Sequence, residues 1–151
     1  MNDFDFFTGT WDVANRRRVD DFLDPASEWE EFPAVSQAAR HFDGRAHFDE
    51  ISFPTKGYAG LTLRLLDPET GQWSLYWVSK RTCAMEPPVT GQFKDGIGDF
   101  FGEDTYNDVA ILVRYRWSDI TADSARWEQA FSTDGGQSWL DNWYMQMTRR
   151  S

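Results

Sequence analysis

The sequence predicts an all-β protein, a single antiparallel up-and-down β-barrel of about eight to ten strands, with residues 1–151 forming one domain. Three observations predict it. Apolar and polar residues alternate over many short stretches, as on half-buried strands. Gly, Asp and Pro clusters separate the stretches at near-regular intervals, which argues a barrel or sandwich. No stretch keeps a helical period for three turns. Turns of about two to five residues favour a meander, whose closure removes exposed sheet edges.

Residues 3–8, Asp-Phe-Asp-Phe-Phe-Thr, read as a short turn or helical lid that buries Phe4 or Phe7. The first strand runs from Trp11 to Val19, followed by a loop over residues 20–27. A second strand spans about residues 27–42, with a break or bulge at Pro33. Asp43-Gly44 is a two-residue hairpin signal leading into Arg45–Phe53. That register sets Arg40 against His47 and Gln37 against Glu50. Pro54–Gly57 is a turn, Tyr58–Leu66 a strand and Asp67–Gly71 a turn. Trp73–Ser79 is the clearest strand. After a loop around Cys83–Pro88, Val89–Phe93 and Gly98–Phe101 flank the turn Lys94-Asp95-Gly96. Glu103–Asp108 reads as polar connection and Ala110–Trp117 as a strand.

The chain closes on a hairpin around Asp134-Gly135-Gly136, where glycine reaches positive φ without steric cost. Before the turn, Trp127, Gln129 and Phe131 share a strand face. After it, simple alternation puts Trp139, Asp141, Trp143, Met145 and Met147 on one face.

Gly9-Thr-Trp11 at the head of the first strand resembles the opening of a lipocalin or related calycin barrel. In those barrels the Trp closes the floor and an Arg of the last strand packs across it, a role that Arg149 or Arg150 would take. From Gly60 onward the chain is similar to a bacterial calycin-like family of uncharacterised domains. The resemblance is carried by Gly60-Leu-Thr-Leu-Arg64, Gly71-Gln-Trp73, Tyr76-Trp77, Asp95-Gly96, Arg116-Trp-Ser118, Arg126-Trp-Glu-Gln-Ala-Phe-Ser132, Asp134-Gly-Gly136 and Asn142-Trp143. It implies a lipocalin-like barrel of unspecified ligand and transfers no catalytic residue. Ser132-Thr-Asp-Gly-Gly-Gln-Ser-Trp139 is also similar to the Asp-box turn of sialidase propellers. A single copy supports the hairpin, not a glycosidase.

Composition narrows the function. The net charge of −10 disfavours nucleic acid, whose phosphates are met by Lys and Arg. The basic run Arg16-Arg17-Arg18 meets Asp20 and Asp21 and reads as a solvated strand end. A single cysteine, Cys83, excludes an intrachain disulfide and suits a reducing compartment. No apolar run nears the roughly 20 residues that span a bilayer. The acidic start lacks signal-peptide character. These features predict a cytoplasmic protein with no membrane partner; association into a homodimer is compatible with them.

Aromatics make up 17% of the chain, with eight Trp and twelve Phe. So many rings either fill a barrel or line a pocket in it. The candidate ligand-binding wall is Trp73, Tyr76, Trp77, Tyr115, Trp117, Trp127, Gln129, Trp143 and Met145. Parity separates Arg114 and Arg116 from Tyr115 and Trp117, and Arg126 and Glu128 from Trp127 and Gln129. With the aromatics inside, these charges pair outside the barrel; with the charges inside, Arg64 and Arg116 would grip a ligand carboxylate.

Other chemistry has little support. His41 and His47 fall on opposite faces, with Asp49 beside His47 and Glu50 beside His41, so no three ligands converge on a metal, and an axial-His haem is disfavoured for the same reason. No cofactor is expected. Cys83 has no histidine near it in sequence and reads as an incidental thiol. The sequence therefore predicts a barrel binding a small, partly apolar ligand. An acid–base enzyme acting on a hydrophobic metabolite, with Glu50 or Glu128 as catalytic candidates, and a module with a filled core are the alternatives.

Overall fold

The computed structural model describes residues 3–150. Ten antiparallel strands follow the predicted meander: β1 (Gly9–Arg18), β2 (Trp29–His41), β3 (Ala46–Phe53), β4 (Tyr58–Leu66), β5 (Trp73–Ser79), β6 (Val89–Lys94), β7 (Ile97–Tyr106), β8 (Val109–Ser118), β9 (Ser124–Ser132) and β10 (Leu140–Arg149). Each pairs with its sequence neighbour, and β10 returns to β1, closing the barrel. Among the described residues, no helix is long and apolar enough to cross a membrane.

Turn chemistry sets most of the register. Asp95-Gly96 joins β6 to β7 with φ of 54° and 80°, the doubly positive pair that a tight primed turn demands. The Asp43-Gly44 connection is longer than the predicted two residues. Pairing stops at His41 and Ala46, and Phe42, Asp43 and Gly44 all take positive φ. The predicted partners survive this change: Arg40 faces His47 and Gln37 faces Glu50.

Pro33 causes no break. Its ladder to β1 continues, and pairing with β3 begins only at Val35, so the missing N–H interrupts no bond on that side. The Glu103–Asp108 stretch is not connection either. β7 continues to Tyr106 and turns tightly through Asn107 and Asp108, both at positive φ. In the Asp134 turn, Ser138 donates from its hydroxyl (2.5 Å) and its backbone N–H (2.9 Å), and Ser132 donates from its hydroxyl (2.7 Å). These bonds hold the carboxyl down to about 2. The box is a structural hairpin.

The lower end of the barrel is filled. A single 3-10 turn, Asp5–Phe7, tucks under the floor, and both Phe4 and Phe7 are buried. Phe7 stacks on Trp11 at 5.2 Å, and Phe4 meets Trp73 edge-on at 4.8 Å. The terminal arginine is Arg149. Its guanidinium lies 4.3 Å over the Trp11 ring and donates to the carbonyls of Phe6, Thr8 and Ala122 at 2.5, 2.5 and 2.9 Å. Arg150 instead pairs with Asp12 outside the barrel.

This geometry makes Arg149 the clamp of the floor. Arg149→Ala removes a cation–π contact and three charge-assisted hydrogen bonds, and is expected to cost roughly 2–4 kcal/mol. Arg149→Lys keeps the charge but not the fork and should recover only part of that loss. Urea denaturation checks this: the midpoint should fall with the slope unchanged.

Candidate functional site

Above the floor the barrel is not filled. A cavity of about 300 Å³ lies among the inward residues of most strands, at the low end of small-molecule sites. It answers in both senses whether the aromatics pack or line a pocket: those at the bottom pack, and those above line.

Trp77, Tyr115, Trp127 and Trp143 form much of the wall, with Met145 and Met147. Tyr115 meets Trp127 edge-on at 5.1 Å, and Trp127 meets Trp143 likewise at 5.7 Å. Trp143 donates from its indole N–H to Asn15 at 2.9 Å, which fixes the ring. Trp77 lies across Gly60, where a Cβ would stand 2.0 Å from the ring carbon Cη2, so only glycine admits that pose.

The bottom of the cavity is polar. Arg64 on β4, with Asp49 on β3 and Ser36 on β2, faces inward, and all three are buried. Arg64 donates to Asp49 at 2.5 Å and to His47 Nδ1 at 3.0 Å, and Ser36 donates to Asp49 at 2.8 Å. An arginine only donates, so Nδ1 accepts and the His47 proton sits on Nε2, 3.3 Å from the Thr8 hydroxyl. Burial first, then the charges of Arg64 and His41, pull the imidazole down to about 3. Arg64 Nε is buried without a partner among the described residues, as is Asn142 Nδ2. Gln129, a cavity residue, donates to Asn142 Oδ1 at 2.9 Å.

The mouth is defined by residues that both line the cavity and reach solvent, Glu86 and Thr105. It follows from the weakest joint of the barrel. β5 and β6 share only three residue pairs, ending at Leu75 and Val89. Beyond them the loop over residues 80–88 spans the seam through a Val78–Met85 bridge and the Glu86 N–H bonded to Trp77 O at 3.0 Å. Asp104 and Tyr106 on β7 face the same opening. Phe22, from the loop between β1 and β2, stacks on Tyr106 at 5.6 Å and covers one side.

Of the predicted wall, Arg64, Trp77, Tyr115, Trp117, Trp127, Gln129, Trp143 and Met145 line the cavity. Trp73 faces inward but belongs to the packed floor, its indole N–H bonded to Asp3 at 2.8 Å. Tyr76 alternates with Leu75 and Trp77 and points outward. Arg116 is outside too, gripping Asp99 with two bonds of 2.7 and 3.1 Å. Glu50 is exposed on the outer face of β3. Glu128 lies outside beside Arg126, at 3.4 Å. Neither glutamate reaches the cavity.

A bulge corrects the face assignment in the last strand. Ala130 pairs with Asp141 and Gln129 with Trp143, leaving Asn142 as the extra residue. The bulge flips the alternation, so Trp143, Met145 and Met147 line the cavity. Asp141 stays outside, bonded to Arg114 at 3.3 Å and to the Tyr144 hydroxyl at 2.7 Å. Trp139 packs on Phe101 outside as well.

Sequence reasoning missed Ser36, Glu86, Asp104 and Tyr106 as site residues. Asp49 was visible beside His47 but not as a partner of Arg64. Among the described residues, no three His, Cys, Asp or Glu side chains cluster as metal ligands. Cys83 is exposed, its thiol 3.4 Å from Lys80 O.

The depressed His47 makes a signed pH prediction. Its folded pKa lies below the unfolded value of 6.5, so the unfolded chain binds the extra proton between about pH 6.5 and 3. The stability is whole above pH 6.5 and is lost as the pH falls through that window, with a slope of at most about 1.4 kcal/mol per pH unit from this group. In denaturation series at pH 7, 6, 5 and 4, His47→Gln should show a flatter decline than the parent.

The sequence matches no family model and no curated protein. Among solved structures, the chain is similar to an S-type phycobiliprotein lyase from Guillardia theta. The TM-score is 0.59 and the identity 14%, over 98% of this chain and 90% of that one. At that identity the likeness establishes the fold, a lipocalin-like closed barrel.

Proposed function

We propose that the barrel binds one small, largely apolar molecule in its upper cavity. The observation that carries this reading is the cavity itself: about 300 Å³ of space, walled largely by aromatic residues and floored by a buried Arg64–Asp49 pair. A core that served only to fold would gain by filling such a space, since voids forgo contacts and destabilise. The likeness to a phycobiliprotein lyase adds support at the level of the scaffold alone.

At the inner end of the cavity, binding is favoured over acid–base catalysis by what Asp49 is doing. Both Asp49 oxygens are engaged, one by Arg64 and one by Ser36. A group so held positions rather than abstracts a proton.

Native mass spectrometry of the freshly purified protein should reveal a co-purifying small molecule that is lost on denaturation, or an apo protein that takes up one equivalent of N-phenyl-1-naphthylamine with enhanced probe fluorescence. Val113→Phe, which adds a ring to the cavity wall, should weaken that uptake at least tenfold while the circular dichroism spectrum is kept. Failure of the parent to take up any probe, with Val113→Phe more stable than the parent, would point to a core that merely packs loosely.

A further inference from the structure

The mouth of the cavity carries charge of one sign. Glu86 lines it from the loop over residues 80–88 and Asp104 from β7, with Tyr115 and Trp77 directly inside. Neither carboxylate enters an ion pair among the described residues, although Arg17, Lys56, Arg114 and Arg116 all find acidic partners. Asp104 is bonded only to the backbone N–H of Thr105, at 2.7 Å. Burial and Asp104 push the Glu86 carboxyl up, and burial with both carboxylates pushes the Tyr115 hydroxyl up. The two acids and the phenol line the same cavity.

The far end of the cavity is the opposite in character. There Arg64 is neutralised by Asp49 and its buried Nε has no partner. Between the two ends stand the rings of Trp77, Tyr115 and Trp127. Aromatic faces attract cations, the more so when desolvated, and acidic rims concentrate them. Two carboxylates are too few for a calcium ion, which takes six to eight oxygens.

We infer that the ligand is an organic amine, protonated at neutral pH. Its cationic group sits between Glu86, Asp104 and the Trp77 and Tyr115 rings, and its apolar body fills the cavity toward Arg64. The inference rests on the ligand-binding reading above and names its chemical class. Anionic molecules are disfavoured at the mouth by repulsion from both carboxylates.

Three compounds that share an indole ring and differ in charge test it: tryptamine (cationic), indole-3-ethanol (neutral) and indole-3-acetate (anionic). Isothermal titration calorimetry at pH 7 and low salt should give tryptamine at least tenfold tighter binding than indole-3-ethanol, with indole-3-acetate weakest. Each bound compound should displace N-phenyl-1-naphthylamine. In the Glu86→Gln/Asp104→Asn variant, tryptamine should fall to the affinity of indole-3-ethanol, whose own binding stays unchanged. Raising the salt to 0.5 M should narrow the tryptamine preference in the parent alone. Equal affinity for the cationic and neutral compounds, or preference for the anion, overturns the charge assignment and leaves cavity binding standing. Uptake of N-phenyl-1-naphthylamine with none of the three indoles displacing it also overturns the inference. Failure of the naphthylamine probe itself counts against the binding reading on which it rests.

Discussion

The closure of this barrel depends on Arg149. One guanidinium joins the ends of the chain: it lies over Trp11 at the start of β1, bonds the carbonyls of Phe6 and Thr8 before it, and bonds Ala122 ahead of β9. A closed sheet must match its first strand to its last, and any slip by one residue would turn every inward side chain outward. The clamp sets that match where β1 and β10 meet, at the Trp11–Arg149 pair. It also holds the 3-10 turn against the floor, so that Phe4 and Phe7 plug the lower end. Ten strands enclose more space than eight, and the plug fills only the bottom of it. The cavity is what remains above.

The polar floor of the cavity is the costliest feature of the interior. Arg64 is placed in a wall of aromatic rings, 5.1 Å from the Phe4 ring centre and 5.4 Å from that of Phe7. A buried ion pair seldom stabilises a fold relative to apolar side chains of the same volume, because desolvation offsets the attraction. What keeps the charge tolerable is the set of partners it does have: Asp49 opposite, a neutral His47 that accepts, and Ser36 on the second carboxylate oxygen. The His47 tautomer is thereby dictated by Arg64, and a second cation on the ring would face the first at 3.0 Å. A feature that costs stability and lines a cavity is more readily understood as part of a site than as part of a core.

Most of this architecture was legible because strand parity and turn chemistry are local rules. Trp77, Tyr115, Trp127 and Gln129 could be placed on one surface by counting in twos, and Asp95-Gly96 announces its own turn. Arg64 and Arg116 show where counting stops. Both are strand arginines flanked by apolar residues, but one is inside and the other outside, because parity gives two faces without saying which is the interior. Tyr76 was assigned by residue type against its own parity, since Leu75 and Trp77 already claimed the inward face. Asp141 and Trp139 were misplaced because a bulge at Asn142 resets the count, and no residue type encodes a bulge reliably. Glu103–Asp108 looked like connection because it is almost wholly polar, lying at the rim where both faces of a strand meet water. Asp104 and Tyr106 were lost with it.

Glu86 was invisible for a different reason. It sits in an exposed loop, and only the pairing of the whole sheet brings it to the cavity. A fully bonded barrel has no opening in its side, so access to the interior requires ladder hydrogen bonds to be given up somewhere. Here they are given up along the upper half of β5, past the three pairs it shares with β6. The loop covering that seam restores two contacts, and one of them is the Glu86 N–H on Trp77 O. The bond that patches the seam therefore sets the side chain of Glu86 at the opening, opposite Asp104 on the free upper edge of β7. Access and charge are linked by construction: the strand pairing that the barrel omits decides both where the cavity opens and which sign of charge lines that opening.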